Sequence, residues 1–135
     1  MTRMIVVLCL LAGLITFAIV EQVCIDRVYS KMMDETTAII EVVQSTQFDS
    51  DNQGTFDDYT KARVDELHNY WIKRERRLGI LIRHVDLSYV SDALIYAQNF
   101  IHFDNQEEAM AGLRRLEYLL DSYSGIYGLN GINIL

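Results

Sequence analysis

The sequence of 135 residues contains no proline, only two cysteines and only seven glycines. Proline removes a helical hydrogen bond and kinks the backbone, so a sequence without proline favours long, uninterrupted helices. The two cysteines, Cys9 and Cys24, give no disulfide framework, which excludes a small disulfide-stabilised fold. This scarcity of helix breakers predicts an all-α protein.

The sequence also lacks the motifs that carry most known chemistry. It contains no glycine-rich phosphate loop, no nucleophile elbow, no paired cysteines and no His-Glu-x-x-His metal motif. Its 19 acidic and 12 basic residues give a net charge of −7, which argues against nucleic-acid binding. We therefore expect neither enzymatic activity nor a cofactor.

An uncharged apolar run, MIVVLCLLAGLITFAIV, occupies residues 4–20. As a helix it would be about 25 Å long, the short end of what crosses the hydrocarbon core of a bilayer. The run predicts a transmembrane anchor over residues 1–25. A cleaved signal peptide is the alternative, although its best cleavage motif, Thr16-Phe17-Ala18, is weak.

The charges that flank this run predict its orientation. Arg3 and the terminal amine precede it, whereas Glu21 is the first charged residue after it. Because positive charge favours the cytoplasmic side, we expect a single-pass protein of the cell membrane. Its N-terminus would be cytoplasmic and its domain extracytoplasmic.

Apolar residues at helical spacing continue beyond the run and predict that the first helix extends to about Gln47. Residues 26–56 would then form a helical stalk, followed by the polar loop FDSDNQGTF at 48–56, whose composition favours turns. The stripe on this stalk comprises Ile25, Val28, Met32, Ile39 and Val43.

Residues 57–135 are predicted to form an antiparallel bundle of about three helices with an irregular apolar C-terminal tail. Short connections between the helices make them antiparallel neighbours. The predicted second helix carries apolar residues spaced by seven, which indicates a packed neighbour. These residues are Val64, Trp71, Leu78 and Val85. The first two predicted helices of this bundle run from about Asp57 to Val85 and from about Leu87 to Phe103. The last helix is predicted to begin at Asp104, which would act as its N-cap together with Glu107, and to end at Gly125.

Several short motifs occur in a fixed order along the chain. They are Trp71 with Glu75 and Leu78, the junction His84-Val85-Asp86-Leu87 followed by Ala93-Leu94, Phe100-Ile101, Asp104, Glu107-Glu108-Ala109, and the final Ile132-Asn133-Ile134-Leu135. Together with the short anchor, these motifs make the chain similar to the domain-of-unknown-function (DUF) family 4363 of small bacterial single-pass membrane proteins. The resemblance implies a membrane-anchored helical domain with no established activity, and it hints at an accessory subunit of a multi-pass partner.

Polar residues near the second and third helices form a candidate pocket comprising Trp71, Glu75, His84 and Asp86. One hypothesis is that a small ligand binds there. The alternative is structural, with Asp86 capping the third helix, His84 near the C-terminal dipole of the second, and Glu75 paired with Arg114 or Arg115.

A second candidate is an interaction surface made of the stalk stripe and a basic helix face. Its residues are Val28, Met32, Ile39, Val43, Lys73, Arg76 and Arg77. The stripe either packs on the domain or contacts a second copy or another membrane protein. The basic face either binds an acidic partner, a phosphate or anionic headgroups, or is a solvated helix face.

These observations predict a non-enzymatic accessory or scaffolding subunit of a membrane complex. Its partners would be the lipid bilayer and an integral membrane protein, or a second copy bound through the stalk. The alternative is an extracytoplasmic sensor or small-ligand-binding module.

Overall fold

A computed structural model describes residues 2–47 and 54–127, and in these ranges it contains four helices and no strand. The all-α prediction is confirmed. The predicted apolar tail after Tyr127 and most of the polar loop lie outside the described residues. The helices are α1 (Thr2–Ser45), α2 (Asp58–Leu78), α3 (His84–His102) and α4 (Gln106–Tyr127).

α1 is one unbroken helix of 44 residues with two different environments. The side chains of residues 3–20 are all exposed, and this half is long and apolar enough to cross a membrane. From Ile25 onward one face of the same helix is buried. No proline interrupts this helix, which is continuous from one environment to the other.

The second half of α1 packs against both α2 and α4. Gln22 donates to the backbone carbonyl of Tyr127, and Gln106 donates to the carbonyl of Val43 at 2.6 Å. The start of the buried half therefore meets the end of α4, and its end meets the start of α4. These contacts make α1 and α4 antiparallel neighbours.

α3 closes the bundle by contacting both α2 and α4. His102 near its end lies 2.8 Å from Asp65 early in α2, whereas Ser91 near its start donates to Glu75 late in α2 at 2.9 Å. α2 and α3 are therefore antiparallel as well. Short connections at both ends of α3 enforce this arrangement.

The core of the bundle draws side chains from all four helices. Residues 26–45 are thus a helix of the bundle, and their apolar stripe packs on the domain, the first of the two alternatives given above, because α2 and α4 cover it. The largest fully buried side chains include Tyr29, Met32, Ile39, Trp71, Leu87, Leu94, Ile101, Leu113, Leu116 and Leu120.

α2 ends at Leu78, seven residues before the predicted end at Val85. Gly79 follows directly, and glycine in a helix interior costs about 1 kcal/mol relative to alanine. Ile82 still reaches the core, and its N–H donates to the carbonyl of Leu78 at 2.8 Å. Val85, predicted to lie on the packed stripe, is 49% exposed.

α4 is capped by Asn105, not by Asp104 as predicted. The Asn105 side chain accepts from the N–H of Glu108 at 3.1 Å. Asp104 has φ 56°, and its carboxylate accepts from the N–H of Phe56 at 2.8 Å and pairs with Lys61 at 2.9 Å. The predicted capping aspartate therefore ties the segment before α2 to the turn between α3 and α4. The predicted stop at Gly125 is also wrong, because α4 continues to Tyr127.

Candidate functional site

Two residues of the predicted polar pocket form a hydrogen-bonded chain inside the bundle. The indole N–H of Trp71 donates to the hydroxyl of Ser91 at 2.7 Å, and that hydroxyl donates to a carboxylate oxygen of Glu75 at 2.9 Å. Trp71 has no exposed surface. Its single N–H is already used, so the indole offers nothing to a ligand, and the chain serves to align α2 with α3.

Asp86 belongs to a different cluster, which joins the start of α3 to the end of α4. Its buried carboxylate accepts from the hydroxyl of Tyr127 and from Nε of Arg83 at 2.9 Å. The Tyr127 hydrogen bond and the Arg83 guanidinium hold the pKa of Asp86 below its usual value, against the opposing effect of burial. Asp86 therefore connects α3 to α4 through its hydrogen bond with Tyr127. It is not the predicted cap of α3, because Arg83 occupies the N-cap position.

The remaining predicted pocket partners lie elsewhere. His84 is exposed, and its ring lies beside Gly79, where an added Cβ would be 3.4 Å from the ring carbon Cε1. Arg114 pairs with Glu117 on its own helix at 2.9 Å instead of serving Glu75. Among the described residues, no three histidine, cysteine, aspartate or glutamate side chains are arranged to hold a metal ion.

The apolar half of the predicted interaction surface is not on the surface. Val28, Met32, Ile39 and Val43 are at most 5% exposed, because the chain's own α2 and α4 cover them. Of the two alternatives for this stripe, the structure contains the first, packing on the domain, so the stripe is not an exposed contact surface for another protein. The basic half, comprising Lys73, Arg76 and Arg77, is exposed and remains a candidate.

A cleft of about 470 Å³ opens where α1 enters the bundle. The apolar wall comes from the last residues of the exposed half of α1, namely Ile19, Val20 and Val23. Arg27 follows on the same helix, whereas Arg74 and Arg77 come from α2. The lining is completed by Cys24, Val28, Tyr70 and Leu78. We call this the base cleft.

Sequence reasoning missed Arg27 and Arg74 as members of one site. They lie on different helices, and only the antiparallel packing of α1 on α2 brings them together. The Arg74 guanidinium is held over the ring of Tyr70, 4.2 Å from its centroid. Cation–π contact of this kind fixes the guanidinium plane but leaves its N–H donors available.

A neighbouring cleft of about 430 Å³ has mixed charge. Arg63 pairs with Glu35 at 3.2 Å, and Lys31 lies 4.5 Å from the ring centroid of Tyr70. Lys73 is in its lining together with Glu66. With Arg74, which lines both clefts, the lining has four cations and two carboxylates, so the positive charge of this cleft is partly neutralised by its own carboxylates.

The outer face of α3 exposes large apolar side chains at spacings of four and seven residues, which place them on one helical face. Their exposed fractions run from 41% to 76%. We call this set the outer α3 stripe: Val85, Tyr89, Tyr96 and Phe103. This stripe was not predicted from the sequence, because Val85 was assigned to the second helix. The seven-residue spacing of Tyr89, Tyr96 and Phe103 is present in the sequence.

Comparison of the chain with protein-family models, with curated proteins and with solved structures finds no match in any of the three.

Proposed function

We propose that the protein is a single-pass, non-enzymatic accessory or scaffolding subunit of a membrane complex, as the resemblance to DUF family 4363 also implies. The observation that carries the proposal is the continuity of α1. One helix supplies both an exposed apolar segment of membrane-spanning length and a core helix of the bundle.

The distance between anchor and bundle is too short for independent motion. The first buried core residue, Ile25, follows Val20 by five residues, which is about 7 Å along a helix. A domain that searches for a distant ligand needs a flexible linker, whereas α1 has none. The bundle is therefore held at one height and one orientation on the membrane surface, as suits a scaffold.

The outer α3 stripe offers a face for a partner. A helical groove of a neighbouring protein would bury its aromatic side chains, and buried aromatic residues dominate the energetics of many interfaces. The stripe replaces the stalk stripe as the proposed contact, because it is exposed. We retain the proposed topology, with a cytoplasmic N-terminus and an extracytoplasmic bundle.

The proposal is tested by purifying the affinity-tagged full chain in mild detergent from the membranes of its native cells. We expect a stoichiometric multi-pass partner, identified by mass spectrometry. The variant Tyr89→Glu should lose this partner, because it places a charge in the outer α3 stripe.

The matched control is Tyr118→Glu, which places the same charge on the exposed face of α4 and should retain the partner. Recovery of the wild-type chain alone, as a monomer or homo-oligomer, would overturn the proposal. Equal loss of the partner in both variants would reject the outer α3 stripe as the contact.

A further inference from the structure

The base cleft combines two features that are separate elsewhere on the bundle. Its α1 side continues the apolar surface of the exposed half of that helix and then presents Arg27, whereas its α2 side presents Arg74 and Arg77. Arg27, Arg74 and Arg77 form no ion pair with any other residue in the described ranges. An amphiphile with an acyl chain and an anionic head matches this combination.

The cleft lies next to the headgroup layer along α1. Arg27 lies seven residues beyond Val20, or about 10 Å along the helix. The headgroup region beside each face of the hydrocarbon core is about 5–8 Å thick. Because an arginine side chain is long enough to extend a few ångströms toward phosphates, Arg27 would reach this layer, and Arg74 and Arg77 line the same cleft.

Further residues at the same end of the bundle fit contact with a membrane surface. Ile80, in the turn after α2, is 85% exposed, the largest exposed fraction of any large apolar side chain in the described residues. Ile126 near the end of α4 is 60% exposed. The Arg83 side chain is 74% exposed. Apolar tips beside arginines are typical of segments that rest in the interface between headgroups and acyl chains.

The charge at this cleft opposes the charge of the protein. The chain as a whole carries −7, and yet the described residues that line the base cleft include three arginines and no carboxylate. Glu21 and Asp26 occupy other faces of α1 and do not line the cleft. Bulk charge therefore cannot draw the bundle to an anionic surface, and any such preference has to be local.

We propose that the base cleft binds one anionic phospholipid of the bilayer that the anchor spans, with the phosphate held by Arg27, Arg74 and Arg77 and an acyl chain along Ile19, Val20 and Val23. This inference rests on the membrane attachment proposed above. Planar guanidinium groups bind phosphate oxygens through paired N–H donors, which gives arginine an advantage over lysine at such a site.

The test is native mass spectrometry of the full chain in detergent, titrated with phosphatidylglycerol or with phosphatidylcholine of the same acyl chains. We expect one phosphatidylglycerol to bind about 10-fold more tightly, in line with the attraction that each arginine near a membrane adds. The double variant Arg74→Gln/Arg77→Gln should lose this preference.

The matched control is Arg114→Gln/Arg115→Gln, which removes the same charge from the exposed face of α4 and should leave the preference unchanged. Equal affinity for the two lipids in the wild-type chain would overturn the inference. Equal loss of the phosphatidylglycerol preference in both double variants would also overturn it, because the preference would then depend on the overall charge of the protein and not on the cleft. A partner protein lost only in Arg74→Gln/Arg77→Gln, without any lipid preference, would assign the cleft to an acidic protein instead.

Flotation of the wild-type chain with lipid vesicles separates this inference from the proposed function. If the chain floats but shows no preference between the lipids, only the cleft assignment fails. If the chain does not float, the membrane anchor fails, and both proposals are overturned.

Discussion

Replacement of Gly112 by alanine tests the closest approach between two helices of the bundle. An added Cβ would lie 2.9 Å from the backbone nitrogen of Ala97 and 3.0 Å from its Cα, whereas ordinary contacts begin at 3.4 Å. Because these atoms belong to the backbone of α3, a side-chain rotation cannot relieve the contact. The helices α3 and α4 would have to separate.

The expected magnitude combines two opposing effects. Overpacking of this kind costs about 1–3 kcal/mol. Alanine is the better helix former by about 1 kcal/mol, which offsets part of that cost. Gly112→Ala should therefore lower the free energy of unfolding by up to about 2 kcal/mol.

Gly125→Ala is the matched control, since it lies on the same helix and its added Cβ would meet nothing within 4 Å. It should be neutral or slightly stabilising, because only helix propensity and unfolded-state entropy change. The difference between the two variants isolates the contact with Ala97. We expect it to be about 1–3 kcal/mol, which for a bundle of this size is about 4–15 °C in Tm.

The assay is thermal unfolding of the full chain in detergent, followed by the fluorescence of Trp71. This is the only tryptophan of the chain and is fully buried, so its emission reports the bundle and not the exposed N-terminal half of α1. Equal Tm values for the two glycine variants would refute the close crossing of α3 and α4.

The remaining predictions concern the core hydrogen bonds, the acid stability and the topology. Ser91→Ala should lower the free energy of unfolding by about 1–3 kcal/mol, because it leaves the buried N–H of Trp71 without an acceptor. The control is Ser88→Ala, since the Ser88 hydroxyl donates to a carbonyl of its own helix, and its free energy of unfolding should stay within about 0.5 kcal/mol of the wild-type value. The pKa of Asp86 is lowered on folding, so its contribution is present above its unfolded pKa of about 3.9 and is lost as the pH falls through the lower folded value. Asp86→Asn should therefore lower Tm at pH 7, and the decrease of Tm below about pH 4 should be smaller than in the wild-type chain. The same decrease of Tm at low pH in both proteins would contradict a stabilising contact between Asp86 and α4. Ser45→Cys, in a chain without the native cysteines, should react with a membrane-impermeant maleimide in intact cells, whereas reaction only after permeabilisation would reverse the proposed topology.

The helical class could be predicted from the sequence because the signals for it are local. The absence of proline and the apolar spacing from Ile25 to Val43 indicate one long helix, and the structure contains it. The same spacing could not show what covers that stripe. Covering it depends on contacts between residues far apart in the chain, such as Gln106 with Val43.

The candidate sites were harder to predict for the same reason. Trp71 and Glu75 are one helical turn apart, and the sequence places them together, but their link through Ser91 comes from the next helix. The base cleft needs Arg27 from α1 beside Arg74 from α2. Asp104 misled the assignment of a cap because Asp and Asn are equally good caps, and only Asn105 has the geometry to act as one.

In the proposed membrane-anchored protein, the unbroken α1 would also couple the bundle to the thickness of the membrane. A span of about 25 Å is shorter than a typical hydrocarbon core of about 30 Å. A short span cannot relieve this mismatch by tilting, so the bilayer thins around it or flanking residues are drawn inward. Since α1 continues into the bundle without a linker, a thicker membrane would pull the whole bundle toward the headgroups, whereas a thinner membrane would not. The protein should therefore partition into the thinner regions of a heterogeneous membrane and favour partners that reside there.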